Sequence, residues 1–530
     1  MKNCRFLLSG LFVCVFIFGI AGYSSAGGGV DTSVAKASHR DMATENGAMN
    51  NHAQVILAYE GLPLDTSPGG YLEKLMGGLD GANPDFTMIS LVRILFFTED
   101  YDDIILPALE GFLYWPVQGE NIEYCYWSEN HFIMWLSTAY LLKQREGWAM
   151  DSLMEDRLRH WLDLKLTYGF YEWHSAVYWP YALSGILNLA DFAADPDIRA
   201  DAEAVAKRML TEMLRLTNDK GVFFPVSGRG KLNKYENAYG QNHSALIYIL
   251  TQLGDAPASA TPSSVFLSTS DIDFDDVSAS RSETENCIVD FGHHINDSSV
   301  HAGFPRQDRT LLQWSAGGYF HPDVADDTAY TTSYYDLENV PGIPIFLANV
   351  SSRIGDTFSR SSVLSQATFH IYKNEGVTLS SVYAYNPGYF GYQQYPWMAA
   401  VDDVAVWTQS GTVHTKWGDR SYDNINTHLP RVMQDENVAL IMYWPNTEIA
   451  VSQSTDVALH WKNSDFDEVD YYDRWIIGRK NSSYIAVYRH RTGSKNGWYY
   501  SGTNNGRQYW AVVVGNSTTH GSFSDFVDMV

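Results

Sequence analysis

The apolar residues of this chain repeat at one period before residue 254 and at another after residue 280, and that change limits the folds open to it. From Asp201 to Leu216, Ala202, Val205, Ala206, Met209, Met213 and Leu216 fall at steps of three and four, which is one apolar face of a helix. Comparable faces run over 130–142, 153–166, 181–192 and 242–253, separated by short loops bearing Gly or Asp. Repeated helical hairpins predict an (α/α) toroid over residues 40–254 rather than a single bundle. Residues 255–280 are rich in Ala, Pro, Ser and Asp, the composition of an interdomain linker. Beyond them the period becomes two. Phe369, Ile371, Val377 and Leu379 flank the turn Lys373-Asn374-Glu375-Gly376, and 438–443, 484–488 and 509–514 read as further strands. Residues 281–530 should form an antiparallel β-sandwich domain. The fold class expected is therefore α+β multidomain, an N-terminal (α/α) toroid followed by a C-terminal antiparallel β-sandwich.

The first 26 residues carry an address. Lys2 and Arg5 precede an apolar run from Phe6 to Ile20, and Ser24-Ser25-Ala26 follow. That order is a cleavable secretory signal. The expected location is secreted or periplasmic, with no membrane attachment after cleavage. Cys4 and Cys14 leave with the signal; Cys125 and Cys287 remain and permit one disulfide. The net charge of −26 argues against nucleic acid or anionic lipid as partners. It does not exclude a polyanionic substrate, because salt confines exposed charges to about 10 Å and a local basic cleft can persist. Aromatic residues make up 14% of the chain, with 16 Trp; such rings stack on sugars and also fill cores. No metal or other cofactor is expected. The acidic run Asp271, Asp273, Asp275, Asp276 lacks the Gly that an EF-hand loop requires.

Three segments of the helical half concentrate polar chemistry. Trp127-Ser128-Glu129-Asn130-His131 opens a helix, with Ser128 placed to cap it. Next comes the run from Tyr171 to Tyr181, containing Glu172, Trp173, His174, Tyr178 and Pro180, just ahead of another helix. The third is Gly228-Arg229-Gly230-Lys231 with Lys234, Tyr239 and Asn242-His243. An Arg between two glycines sits on backbone that can approach a ligand closely.

Asn130, His174, Tyr178 or Tyr181, and Arg229 are the groups that β-elimination from a uronic acid requires. Removing the C5 proton builds charge on the adjacent carboxylate, which Asn and Arg can hold. A neutral His or a phenolate can take the proton, and a Tyr can return one to the leaving oxygen. Trp127, His131, Glu172, Trp173, Lys231, Lys234, Tyr239 and His243 would line the substrate path. In this order the segments resemble polysaccharide lyase family 8, the hyaluronate, chondroitin AC and xanthan lyases. That family has an Asn before a long apolar helix, as at Asn130. It has a His and then a Tyr ahead of a Gly- and Leu-rich helix, as at His174 before Ser184-Gly185-Ile186-Leu187, and an Arg as in Gly228-Arg229-Gly230. The resemblance implies a secreted lyase of an anionic polysaccharide on a toroid with a β domain. The spacing from His to Tyr is shorter here, which leaves Tyr178 and Tyr181 both open, and Asn233 stands where the family has a second Arg. Other toroid lyases, of the heparinase and alginate lyase types, use similar sets.

Two other readings fit the same residues. A glycoside hydrolase needs two carboxyl groups across the scissile bond, for which Glu129 and Glu172 are candidates, with Glu123 or Asp163 beside them. A non-catalytic carbohydrate-binding protein could use the aromatic run from Tyr389 to Trp397.

Overall fold

A computed structural model describes residues 30–45, 47–81, 83–112, 128–150, 152–226, 228, 238–239, 241–291, 302–315, 325–336, 367–383, 391–392, 394–410, 425–426, 428–444, 457–489, 494–495, 498–501 and 507–530. The first part is helical: α1 (Thr32–Thr44), α2 (Ala53–Tyr59), α3 (Tyr71–Met76), α4 (Asp85–Phe97), α5 (Asp102–Glu110), α6 (Glu129–Glu146), α7 (Ser152–Tyr168), α8 (Trp179–Phe192), α9 (Pro196–Arg215), α10 (Asn242–Thr251), α11 (Pro262–Ser268) and α12 (Asp275–Ala279). Helices α2, α4, α6, α8 and α11 each pack on the next, and α11 returns to α2, so they close a ring. Helices α7, α9, α10 and α12 pack outside it, α7 and α12 on α9 and α10 on α11. The ring is tight where α6 meets α8, because Gly185 presses on α6: a Cβ there would lie 3.2 Å from the Ile133 carbonyl oxygen and 3.1 Å from Ser137 Oγ.

Residues 255–280 are not a linker. Pro262 begins α11 behind a Thr261 cap, and Val265, Phe266, Leu267, Phe274 and Val277 are buried in the helical core. Short helices with one or two buried turns leave too few residues to show a period, so Pro, Ser and Asp dominate the composition. The part beyond 281 is also not purely β: α13 (Arg306–Ser315) and α14 (Ala325–Tyr334) fall between its first two strands, and α13 packs on α6.

The strands are β1 (Thr284–Phe291), β2 (Ala367–Asn374), β3 (Val377–Tyr383), β4 (Gly391–Tyr392), β5 (Trp397–Val401), β6 (Val404–Ser410), β7 (Ile425–Asn426), β8 (Arg431–Asp435), β9 (Val438–Tyr443), β10 (Val457–His460), β11 (Glu468–Tyr472), β12 (Trp475–Lys480), β13 (Ser483–Arg489), β14 (Ser494–Lys495), β15 (Trp498–Ser501) and β16 (Gln508–Asn516). They pair antiparallel in an eight-stranded sheet ordered β1-β2-β3-β5-β6-β10-β15-β14, a six-stranded sheet ordered β11-β12-β13-β16-β9-β8, and the small pair β4-β7. The two large sheets share one core, in which Leu379, Trp397 and Val406 of the first meet Ile441, Val487 and Trp510 of the second. The hairpin read at 373–376 joins β2 to β3, with Glu375 at φ 49° in its turn. Helices α15 (Ser517–His520) and α16 (Phe523–Met529) close the chain.

The eight-stranded sheet faces the helices. Phe369, Ile371 and Val382 belong to the helical core, and Tyr395, Met398 and Trp407 pack with Ala176, Val222 and Phe224. Polar groups stitch the seam: the Lys373 ammonium donates to the carbonyls of Leu214 (3.0 Å) and Thr217 (3.2 Å), and Asn218 Nδ2 donates to the Asp402 carbonyl at 2.8 Å. The aromatic excess serves this packing first, since among the described residues eight tryptophans, including Trp173, Trp179, Trp397 and Trp407, are fully buried. Tyr395 and Trp397 are therefore core residues, not a sugar-stacking surface; 389–390 and Gln393 lie outside the described residues. Cys287 carries no disulfide, and Cys125 and the signal segment lie outside the described residues. No described helix is long and apolar enough to cross a membrane.

Candidate functional site

Four helices bring their N-termini together. Asp85 and Phe86 open α4, His131 lies in the first turn of α6, Tyr181 in the first turn of α8 behind Tyr178, and Asn242 opens α10. Asp85 Oδ2 is 2.5 Å from His131 Nδ1. The Phe86 ring stacks on His131 at 5.2 Å between centroids and on Tyr181 at 4.3 Å. The Tyr181 hydroxyl bonds the Asn242 side chain, and Tyr178 lies within its electrostatic reach. None of the four helices is capped by its own N-cap side chain. Most of their first-turn amides are already engaged, those of Phe86, Thr87, Trp179, Tyr181 and Ser244 by backbone carbonyls and that of Asn130 by Glu172, and Pro180 has none.

The Asp85 carboxylate is fully buried, whereas the His131 side chain is 17% exposed. With Nδ1 donating to Asp85, the imidazole holds its lone pair on Nε2. Burial raises the Tyr181 hydroxyl above its ordinary 10.0, with Asp85 and Tyr178 adding to the rise and the bond to Asn242 opposing it. Tyr181 is therefore a protonated donor at neutral pH and not a phenolate.

Asn130 and His174 occupy a deeper layer. Asn130 is fully buried; its Oδ1 accepts from Ser128 Oγ at 2.7 Å and its backbone N–H donates to Glu172 Oε2 at 3.1 Å. Ser128 stands at the N-cap but does not cap; Glu172, from another loop, does so in its place. Glu129 returns the bond: its carboxylate accepts the amides of Tyr171 (3.2 Å) and Glu172 (3.0 Å) and pairs with buried Lys165. The two carboxylates thus clamp the start of α6 to the 171–178 loop. Both are buried and engaged in that clamp, so neither faces a cleft as a hydrolase acid or base.

His174 is 1% exposed and sits at φ 51°. Its ring centroid is 4.6 Å from Phe369, 5.4 Å from Trp179 and 6.2 Å from Trp173. Burial lowers its pKa to about 3, against a hydrogen bond with the Val226 backbone that favours the charged form. So weak a base, sealed by aromatic rings, suits holding the loop on β2 better than taking a proton at neutral pH. Trp173 is fully buried too; its carbonyl accepts the Gly228 amide at 3.0 Å, and a Cβ on Gly228 would lie 2.7 Å from its indole. Glycine is needed at 228 for that close approach. Arg229, Lys231 and Lys234 follow, and with Trp127 and Glu123 they lie outside the described residues.

The remaining expected substrate residues are elsewhere. His243 is buried and stacks on Phe223 at 4.7 Å. Tyr239 donates to the Lys220 carbonyl at 3.4 Å. Burial, then Asp403, Asp255, Asp402 and Asp219, push its hydroxyl up to about 12, surroundings that repel a polyanion. Asp85 and Phe86 do not stand out in the sequence, and Asn242 stands out only beside the Arg229 segment, not beside Tyr181. Asp85 after Pro84 has the form of an ordinary acidic first turn, and only the ring brings it to His131. Among the described residues no group of His, Cys, Asp and Glu forms a metal cage.

No protein-family model matches the chain, and no curated protein matches it. Among solved structures it aligns with heparinase III at 10% identity and a TM-score of 0.39, covering 92% of this chain and 86% of that one. It also aligns with a mutant of the heparan sulfate lyase HepC from Pedobacter heparinus at 8% identity and a TM-score of 0.20, covering 92% and 88%. By name these are a heparinase and a heparan sulfate lyase, not hyaluronate, chondroitin AC or xanthan lyases.

Proposed function

We propose that the chain is a polysaccharide lyase, built on an (α/α) toroid with a β-sandwich, that cleaves a uronate-containing polymer by β-elimination at the converging helix N-termini. The observation that carries this reading is the pairing of a carboxylate-oriented imidazole, Asp85–His131, with a protonated phenol, Tyr181, around Phe86. His131 Nε2 takes the C5 proton and Tyr181 protonates the leaving O4, while the charge that builds on the uronate carboxylate calls for a cationic partner. The C5–H bond and the C4–O bond break, a C4–C5 double bond forms, and no water is consumed. Asn130 and His174 shape the floor, and Arg229 is the residue expected to bind the carboxylate. The clamping of Glu129 and Glu172 weighs against hydrolysis.

The test is incubation with a panel of uronate polymers while following ultraviolet absorbance from the new double bond conjugated to the carboxylate. Absorbance should rise with the native protein and be lost in His131→Ala and Tyr181→Phe, by roughly a hundred-fold or more. New reducing ends without that absorbance would mean hydrolysis and end the proposal.

A further inference from the structure

The outer face of the six-stranded sheet points away from the helices and is only half covered. Helix α16 lies over one flank, where Phe526 packs with Ile477, Tyr484 and Ala486, and Phe523 and Val513 join them. Beside it the strand register lines up one row across all six strands: Tyr472 opposite Trp475, Trp475 opposite Tyr488, Tyr488 opposite Ala511, Ala511 opposite Leu440, and Leu440 opposite Met433. None of the six is buried; Tyr472 is 65%, Leu440 55% and Met433 69% exposed. At ordinary strand spacing the row is about 24 Å long. A contiguous exposed apolar strip of this length is uncommon on a protein with no use for it.

Charge distinguishes the two sides of the strip. On the side of α16 the sheet edges carry Asp470 and Asp435, the former opposite Ile477 and the latter opposite Val438. On the other side exposed Asp473 sits in the β11–β12 turn, but among the described residues arginines outnumber it. Arg431 stands opposite Met442, which pairs in turn with Tyr509. The Arg507 guanidinium lies 3.6 Å from the centroid of exposed Trp444, with Arg431 5.7 Å from the same ring. Arg474 donates to the Tyr488 hydroxyl at 3.3 Å. Three arginines thus border one side of a flat aromatic and aliphatic track, on a chain of net charge −26 that would otherwise repel a polyanion.

We propose that this face is a second, non-catalytic binding site for an anionic polysaccharide. Sugar rings lie on the row from Tyr472 to Met433, and carboxylate or sulfate groups turn toward Arg431, Arg474 and Arg507. Arginine suits this because its planar fork meets both anions with paired hydrogen bonds and stacks on indole. The polymer class is that of the proposed lyase reaction, but binding here involves no turnover. The site would hold a long chain to the enzyme while the helical ring works on another stretch of it, an effect of local concentration rather than of chemistry.

The experiment measures retention of the full chain on immobilised heparan sulfate and alginate, with dextran as the neutral control. His131→Ala is the background, so that no probe is degraded. Adding Tyr472→Ala, Trp444→Ala and Arg507→Ala together should weaken binding to at least one polyanion by about ten-fold or more. Binding should also fall as salt rises, and the triple change in the active protein should leave turnover of a short oligosaccharide unaltered. Retention within two-fold of the background protein, or equal retention on dextran, would overturn the proposal. So would sedimentation showing that the triple variant only converts a dimer to a monomer. Because binding is read in a protein that cannot turn over, failure of the lyase reading leaves this result standing, and the reverse also holds.

Discussion

His131 and His174 share a residue type and a neighbourhood in sequence-rich polar segments, yet their surroundings give them opposite chemistry. His174 is enclosed by Trp173, Trp179 and Phe369 and held neutral; His131 reaches the surface and is oriented by a buried carboxylate. Asp85→Asn should therefore lower kcat by roughly a hundred-fold or more with little change in stability, because the amide permits the wrong imidazole tautomer. The comparison is His174→Gln, which should lower the unfolding midpoint while leaving kcat per folded molecule near native. Equal kcat in Asp85→Asn and native protein would remove His131 from the role of base. Tyr181 adds a condition on pH: its hydroxyl is raised above 10.0, so no loss of activity below that pH should trace to its ionisation. The sequence made the segments legible but not the partners. Asn130, His131, Tyr178 and Tyr181 stand in runs dense in polar and aromatic residues. Asp85 shows nothing until four helix starts meet, and Asn242, legible beside the Arg229 segment, gains its partner Tyr181 only there.

Helices were the most legible elements because long amphipathic runs repeat often enough to show their period. The faces read over 130–142, 153–166, 181–192 and 201–216 became α6, α7, α8 and α9 with ends shifted by a few residues. What stayed hidden were α11 and α12, whose buried turns are too short to repeat, and the function of Glu129 and Glu172. A carboxylate beside a helix start reads equally as catalyst, cap or clamp, and only its partners decide. The clamp can be measured. Lys165 and Glu129 are both buried, and burial lowers the Lys165 pKa against the pull of Glu129. Lys165→Met or Glu129→Gln alone should cost about 3–5 kcal/mol in urea unfolding by leaving a polar partner without its counter-charge. The double change should cost less than the sum of the two. Activity per folded molecule should survive Glu129→Gln; a selective loss of activity without loss of stability would instead make Glu129 a catalytic acid and revive hydrolysis.

The two halves of the molecule are sealed along one seam, and both keep neutral histidines inside. His39 and His174 lie in the helical part, His428 and His460 among the strands. Burial lowers His39 and His428 from 6.5 to about 4, and His174 and His460 to about 3. An unfolded chain would protonate all four near pH 6.5, whereas the folded one resists until about pH 4 or below. Below pH 6.5 the unfolded state thus binds more protons, so stability present above that pH is lost as pH falls toward 4. Glu212 works the other way: burial raises its carboxyl from 4.5 to about 7, so the folded state holds a proton that the unfolded state releases, and stability falls as pH rises from 4.5 to 7. His52, lowered by burial to about 4 as well, adds to the other four histidines, so the histidines outweigh Glu212 and net stability falls as pH drops below 6.5. The seam decides how that loss shows itself. Lys373 and Asn218 tie the end of α9 to the β2–β3 hairpin and the β5–β6 turn, and the His174 ring lies on Phe369. Both halves weaken in the same pH window, so acid should unfold them together. Circular dichroism, which follows the helices, and tryptophan fluorescence, which follows both cores, should give coincident urea midpoints that move down together between pH 6.5 and pH 5. Midpoints that stay fixed across that interval would mean the histidines are not held neutral, and midpoints that separate would mean the seam does not couple the halves.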